Sequence, residues 1–223
     1  MISETDAVTM IDTIHDDAIH IPETCLKVAG YVTGTFDIQW TDTDWERFSH
    51  SGHVRINQSG INGLLGDVLD AETGGWTINS AVTAARERRA ASRDVATYIQ
   101  ASRVTLLTDA LNSARIRDTS LWVANWNLSR TAAIELLGAK VNGHTIVAVQ
   151  YASPTSDPLM QVPGASFALT LVAANVDLSV TMPGWFAYQP AILHGLIICP
   201  PKGWTGRRAT STDDGATWDT ERV

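Results

Sequence analysis

Cysteine is almost missing from this chain: Cys25 and Cys199 are the only two among 223 residues. Two cysteines cannot build a disulfide framework, and their separation fits no zinc-ligand spacing, so both read as free thiols. Long hydrophobic runs are missing as well. The stretch from Ser166 to Val176 falls well short of the ~20 residues that cross a bilayer, so no membrane insertion is expected. The N-terminal Met1-Ile2-Ser3-Glu4-Thr5-Asp6 is acidic and has neither a basic nor an apolar region, so it does not read as a secretory signal. Positive charge is in deficit. The formal net charge of -8 argues against nucleic acid as a partner, which selects basic surfaces. Arg86, Arg88, Arg89 and Arg93 do cluster, but Glu87, Asp94 and four alanines interleave with them, the pattern of an exposed helix face.

Several catalytic and cofactor signatures are absent too. There is no Gly-x-Ser-x-Gly elbow, and Gly60, Gly63 and Gly66 are spaced as neither a Rossmann nor a P-loop fingerprint. No cofactor is implied. His15 and His20 flank Asp16 and Asp17, but a five-residue separation fits neither one helix face nor one strand face, so no metal is expected there.

What is present suits a globular domain: 44% hydrophobic and 18% charged residues are ordinary values for one. The aromatic set is skewed, with eight Trp against four Phe and four Tyr. Trp joins a wide apolar face to a single N–H donor, which serves sugar stacking as well as core packing.

Short, β-branched apolar runs predict strands near 8–14, 28–33, 53–57, 67–72, 95–100, 120–125, 145–151 and 167–174. Most are continuously apolar, as strands buried on both faces are. Helices are predicted between several of them. Thr43-Asp44-Trp45-Glu46 fits a capping box opening a short helix that ends near Ser51-Gly52. Ile78 to Arg93 follows Thr77 or Asn79 as a cap, Leu106 to Ala114 makes a third helix, and Ser129 caps Arg130 to Leu137 with Gly138 closing it. The gap 58–66 is too short for a helix, and the late strands follow one another without one. The fold class is therefore α/β: an irregular β/α, TIM-like barrel with some helices missing, over residues 1–182.

From Pro183 onward the chain turns rich in proline and glycine without helical period. Ser211-Thr212-Asp213-Asp214-Gly215-Ala216-Thr217-Trp218 matches an Asp-box, a hairpin turn whose Asp accepts local backbone N–H bonds and whose Gly takes a positive φ. Residues 183–223 are expected to form a C-terminal β-hairpin appendage that docks on another chain.

The strongest chemical signal is Asp67-Val68-Leu69-Asp70-Ala71-Glu72-Thr73-Gly74. On a strand, Asp70 and Glu72 point to one face. Like charges held side by side repel, so one of the two carboxyls is expected to keep its proton near neutral pH, as an acid for glycosidic cleavage must.

Several segments together resemble the family 25 glycoside hydrolases, the lysozyme-like muramidases common among bacteriophage endolysins. Leu69-Asp70-Ala71-Glu72 matches the family's D-x-E, and Met10-Ile11-Asp12 resembles its opening Gly-Ile-Asp. Leu121-Trp122-Val123-Ala124-Asn125-Trp126 is similar to its Leu-Trp-x-Ala segment and Val149-Gln150-Tyr151 to its Trp-Gln-Tyr. Asn175-Val176-Asp177-Leu178-Ser179 resembles its closing Val-Asp-Leu-Asn. The five occur in the family's order over about residues 8–182. Departures are that Met10 precedes Ile11, that Val149 stands where the family has Trp, and that Thr13 to Asp17 is not a Ser-rich loop.

The resemblance implies Glu72 as general acid, with Asp70 tuning it or orienting the substrate's N-acetyl group. Asp12 and Asp177 would complete an acidic cluster, and Tyr98, Trp126, Gln150 and Tyr151 would line the sugar groove. It implies a phage-type hydrolase of peptidoglycan or a related cell-wall glycan. With a β tail in place of repeated wall-binding modules, a virion tail location is expected, or host cytoplasm before release. The competing expectation is a non-enzymatic structural or glycan-binding tail protein on the same barrel.

Overall fold

The computed structural model describes residues 7–171 except 36, 59, 61, 73–75, 127, 153–161 and 163–164, together with the backbone of four short strands beyond them. The chain divides into two compact units, Met1–Leu171 and Val172–Val223.

The first unit contains strands β1 (Ala7–Thr13), β2 (Lys27–Tyr31), β3 (Gly52–Asn57), β4 (Val68–Asp70), β5 (Ala96–Gln100), β6 (Ser120–Ala124), β7 (Lys140–Val141), β8 (His144–Ala152) and β9 (Ser166–Leu171). Its helices are α1 (His15–Ala18), α2 (Asp42–Arg47), α3 (Ile78–Ala90), α4 (Val104–Ser113) and α5 (Arg130–Leu136). Strands β1 to β6 pair in order, all parallel, and β6 pairs parallel with β8. Strand β9 runs antiparallel to both β8 and β1. The ring closes, giving a mixed α/β fold around an eight-stranded barrel that has no free edge apart from the β7 flap on β8.

All eight predicted strands are present, with ends shifted by up to three residues. The apolar runs are continuous because both faces of the wall are covered. Met10, Ala29, Val54, Ile56, Ala96 and Ala148 fill the lumen, while Ile11, Val28, Leu69 and Ile99 face outward with Leu107 and Leu111 of α4. Small residues dominate the inner set, as a narrow barrel requires.

The α2 cap differs from expectation. Thr41, not Thr43, is the N-cap: its Oγ1 accepts from the Asp44 backbone N–H at 3.3 Å, and the Asp44 carboxylate accepts from the Thr41 backbone at 2.7 Å. Asp44 also takes His15 Nδ1 at 2.7 Å, a long-range partner invisible to local pattern. Thr77 and Ser129 cap α3 and α5 as expected. The β7–β8 hairpin, missed at the sequence level, turns on Asn142 (φ 50°) and Gly143 (φ 90°), an Asn-Gly pair suited to two successive positive φ values.

The arginine cluster is exposed at Arg86, Arg89 and Arg93, as expected, but not at Arg88. Arg88 is only 1% exposed. Its guanidinium donates to the carbonyls of Gly63, Leu65, Gly66 and Asp67, filling the space under residues 63–67. Gly63 is needed there: a Cβ would lie 2.5 Å from that of Ala84.

Lys27 faces the lumen two residues before Ala29, and its ammonium donates to Thr170 Oγ1 at 3.2 Å. Burial lowers its pKa from 10.5 to about 8. The folded state thus holds its proton less tightly than the unfolded chain, a cost fully present below about pH 8 and gone above the unfolded value. Lys27→Met is therefore expected to stabilise the protein by up to ~3 kcal/mol at neutral pH and by progressively less toward alkaline pH. Thermal melts of both proteins across pH would show it.

The second unit is a four-stranded antiparallel sheet in sequence order: β10 (Phe186–Tyr188), β11 (Ile197–Cys199), β12 (Arg207–Thr210) and β13 (Asp219–Arg222). The Asp-box, Ser211 to Trp218, lies outside the described residues, but the strands on either side of it pair with Thr210 opposite Asp219. Asp177 also lies outside them.

Candidate active site

Two-residue alternation carries side chains into the lumen at the C-terminal ends of the parallel strands. Asp12 follows Met10, Asp70 follows Val68 and Gln150 follows Ala148, each pair two apart and each first member lumenal. Tyr31, Tyr98 and Trp122 belong to the same inner group, and the rings of Tyr98 and Trp122 meet edge to face at 5.0 Å. Six strands thus deliver two aspartates, two tyrosines, a tryptophan and a glutamine to one end of the barrel.

Glu72 arrives differently from the way its spacing predicts. Strand β4 ends at Asp70, and Glu72 sits in the bend beyond it, half-buried. Its backbone N–H donates to Asp70 Oδ1 at 3.1 Å, so Asp70 shapes the turn that presents Glu72. Ala71, between them, points outward into the helix-side core, and its carbonyl accepts from Arg103 Nη1 at 3.2 Å.

The electrostatics are those of a shared acidic cluster. Asp12 is driven from 3.8 to about 8, first by burial and then by the charges of Asp70 and Glu72, with the Gln150 amide opposing. That amide donates through Nε2 to Asp12 Oδ2 at 3.4 Å. Asp70 rises to about 7, chiefly through burial; the Glu72 N–H works against the rise and the Glu72 charge adds to it. The cause therefore differs from the expected one: desolvation leads and like-charge repulsion follows. The proton-holders near neutrality are Asp70, of the pair singled out, and Asp12. The Tyr31 hydroxyl is pushed far up, first by the Asp12 charge, and that of Tyr98 first by burial.

Of the sequence-predicted residues, Asp12, Asp70, Glu72, Tyr98 and Gln150 come together here. Tyr151 does not: one step along β8 from Gln150 it faces outward, packs in the helix-side core, and takes Arg130 Nη1 on its hydroxyl at 3.4 Å. Trp126 lies in the turn after β6, at the same end of the barrel, 42% exposed. Tyr31 and Trp122 were not singled out. Trp122 stood in the quoted Leu-Trp-Val-Ala segment, and Tyr31 was reachable from the two-residue alternation of β2.

Among the described residues no group of three or more His, Cys, Asp or Glu is arranged to hold a metal ion, and none of their helices is long and apolar enough to cross a membrane. Compared with protein-family models, with curated proteins and with solved structures, the chain finds no match in any of the three.

Proposed function

We propose that this chain is a lysozyme-like glycosidase of the family 25 type that cleaves peptidoglycan by acid catalysis from Glu72. One observation carries the reading: Asp12, Asp70 and Glu72 converge at the C-terminal ends of parallel barrel strands, the end at which such barrels place their chemistry. In this reading the barrel is TIM-like with helices missing, and the strands after residue 183 are an appendage.

The three carboxyls divide the work by access. Asp12 and Asp70 are 6% and 3% exposed, whereas Glu72 is half-buried and stands where a glycosidic oxygen can approach it. Glu72 delivers a proton to that oxygen as the bond breaks, drawn from the cluster in which Asp70 and Asp12 hold theirs near neutrality. Asp70 holds the Glu72 backbone in place. The acidic lumen then stabilises the oxocarbenium-like charge that develops on the sugar. Tyr98 and the exposed Trp126 supply apolar ring surface for neighbouring sugars.

Placement on a phage virion, at the tail, with residues 183–223 docking on other tail proteins, belongs to the same proposal and rests on the sequence resemblance. Release of reducing ends from purified peptidoglycan tests it. The wild type is expected to release them across about pH 4 to 8, and Glu72→Gln to lose about 10²-fold or more while still binding the glycan. Release by neither protein, with cooperative melting intact, would leave a non-enzymatic structural or glycan-binding tail module on the same barrel.

A further inference from the structure

The chain holds two Asn-Gly pairs, Asn62-Gly63 and Asn142-Gly143. Asparagine is a thermally labile amide, and a following glycine leaves its own backbone nitrogen free to act as a nucleophile, because no side chain screens it. Both asparagines are exposed and both take a positive φ, 52° and 50°. Their carboxamides, however, are held in opposite ways.

The Asn142 amide is tied down at the group that would leave. Its Nδ2 donates to Thr108 Oγ1 at 3.0 Å and to Asp109 Oδ1 at 2.9 Å, so both of its N–H bonds are engaged. The Asp109 carboxylate also opposes the negative charge that attack would place on the amide oxygen. Asn62 is held at the other end. Its Oδ1 accepts the Leu64 N–H at 3.2 Å, which draws the carboxamide over the Gly63 peptide and sets a donor where that oxyanion would form. Among the described residues the Asn62 Nδ2 has no partner, and the Gly63 N–H donates to none.

We infer that Asn62 is a self-modification site: in the folded protein it deamidates to aspartate and isoaspartate, while Asn142 stays intact. The Gly63 nitrogen bonds to Asn62 Cγ and gives up its proton. The Cγ–Nδ2 bond breaks, and Nδ2 leaves with that proton as ammonia. Water then opens the cyclic imide at either carbonyl. One opening leaves an ordinary main chain bearing an aspartate. The other routes the main chain through the former side chain and lengthens it by a methylene.

The longer product does not fit its surroundings. Gly63 is packed so closely that a Cβ would lie 2.5 Å from that of Ala84, and its carbonyl accepts from Arg88 Nε at 2.6 Å. On the other side, the Asn62 carbonyl that accepts from Asn57 Nδ2 at 3.0 Å becomes a free carboxylate. Isoaspartate therefore loosens the segment that leads into β4 and Asp70, and Asn62 acts as a chemical clock on it.

Peptide mapping by mass spectrometry tests this, on the intact chain incubated folded and, in parallel, unfolded in urea, both in mildly alkaline buffer. Unfolded, the two sites are expected to convert at similar rates. Folded, Asn142 is expected to convert at least about tenfold more slowly than Asn62. Asp109→Ala, an exposed substitution, should raise the Asn142 rate severalfold. The isoaspartyl fraction should melt below the unmodified protein. Equal rates at the two sites of the folded chain, faster conversion of Asn142, or an Asn62 that reacts only when unfolded overturns the inference. So does an Asn142 rate that Asp109→Ala leaves unmoved. An isoaspartyl fraction that melts with the unmodified protein overturns the clock.

Discussion

Asp12→Asn is expected to make the protein more stable, by on the order of 5 kcal/mol at pH 8 and by nothing at pH 3. The sign follows from the direction of the shift. Asp12 has a folded pKa of about 8 against an ordinary value of 3.8, so the folded state prefers the protonated carboxyl. Its contribution is undiminished below the unfolded value and is lost as pH rises through the folded one. Asparagine keeps an amide oxygen for Gln150 Nε2 and removes the charge that burial penalises. Asp70→Asn should follow the same course with a smaller amplitude, since its folded pKa is about 7. Urea melts of wild type and both variants from acid to alkaline pH decide it. A gain that does not grow with pH would mean that Asp12 is not the buried, uncompensated acid described above.

A gain of that size would also bear on function. Two acids kept in a barrel at the expense of stability above neutral pH are a feature that selection for folding alone removes. Their retention is intelligible where the carboxyls meet a substrate. The same argument separates Asp12 and Asp70 from Asp44, whose carboxylate is held below the usual range although its burial works the other way. The bonds that outweigh burial come from Thr41 and His15. Asp44 helps hold the fold together; Asp12 and Asp70 do not.

Much of the barrel was legible because strand runs such as Val28 to Tyr31 and Leu121 to Ala124 are apolar on both faces, and only a wall covered inside and out asks for that. Closure was not legible. Nothing local in Ser166 to Leu171 says that it runs antiparallel to β1 and β8. The Asp70–Glu72 pair was found by spacing, yet the spacing misplaced Glu72 on the strand, because β4 stops where Asp70 turns its carboxylate to the Glu72 backbone. Tyr151 was assigned to the groove along with Gln150, although adjacent strand residues face opposite ways. Tyr31 was passed over because a tyrosine near a strand end has no chemical signature until Asp12 is placed beside it.

Arg88 yields the sharpest stability test, since the helical pattern of its cluster predicted exposure and the fold buries this one member. Arg88→Met is expected to cost about 3–5 kcal/mol. Methionine fills much of the same volume, so packing is not the main loss. What goes is the donor set serving four carbonyls between Gly63 and Asp67; Leu65 and Gly66 keep bonds from Asn57 Nδ2 and Arg93 Nη2, so the carbonyls of Gly63 and Asp67 are the ones that lose their side-chain donor. Lysine is not a remedy, because one ammonium cannot match the planar fork that reaches all four. The consequence should extend beyond stability. The 63–67 segment leads directly into β4, where Asp67 accepts the Arg55 backbone N–H at 2.8 Å and Asp70 stands three residues on. Hydrogen exchange in Arg88→Met is accordingly expected to accelerate first at Leu65 and at the amides of β4, ahead of β1 and β2. Arg86→Met, on the same helix but outside that donor set, should change the melting temperature little. If Arg88→Met and Arg86→Met melt alike, the guanidinium does not hold this segment, and the positioning of the β4 carboxyls must be sought in the Asp67–Arg55 contact instead.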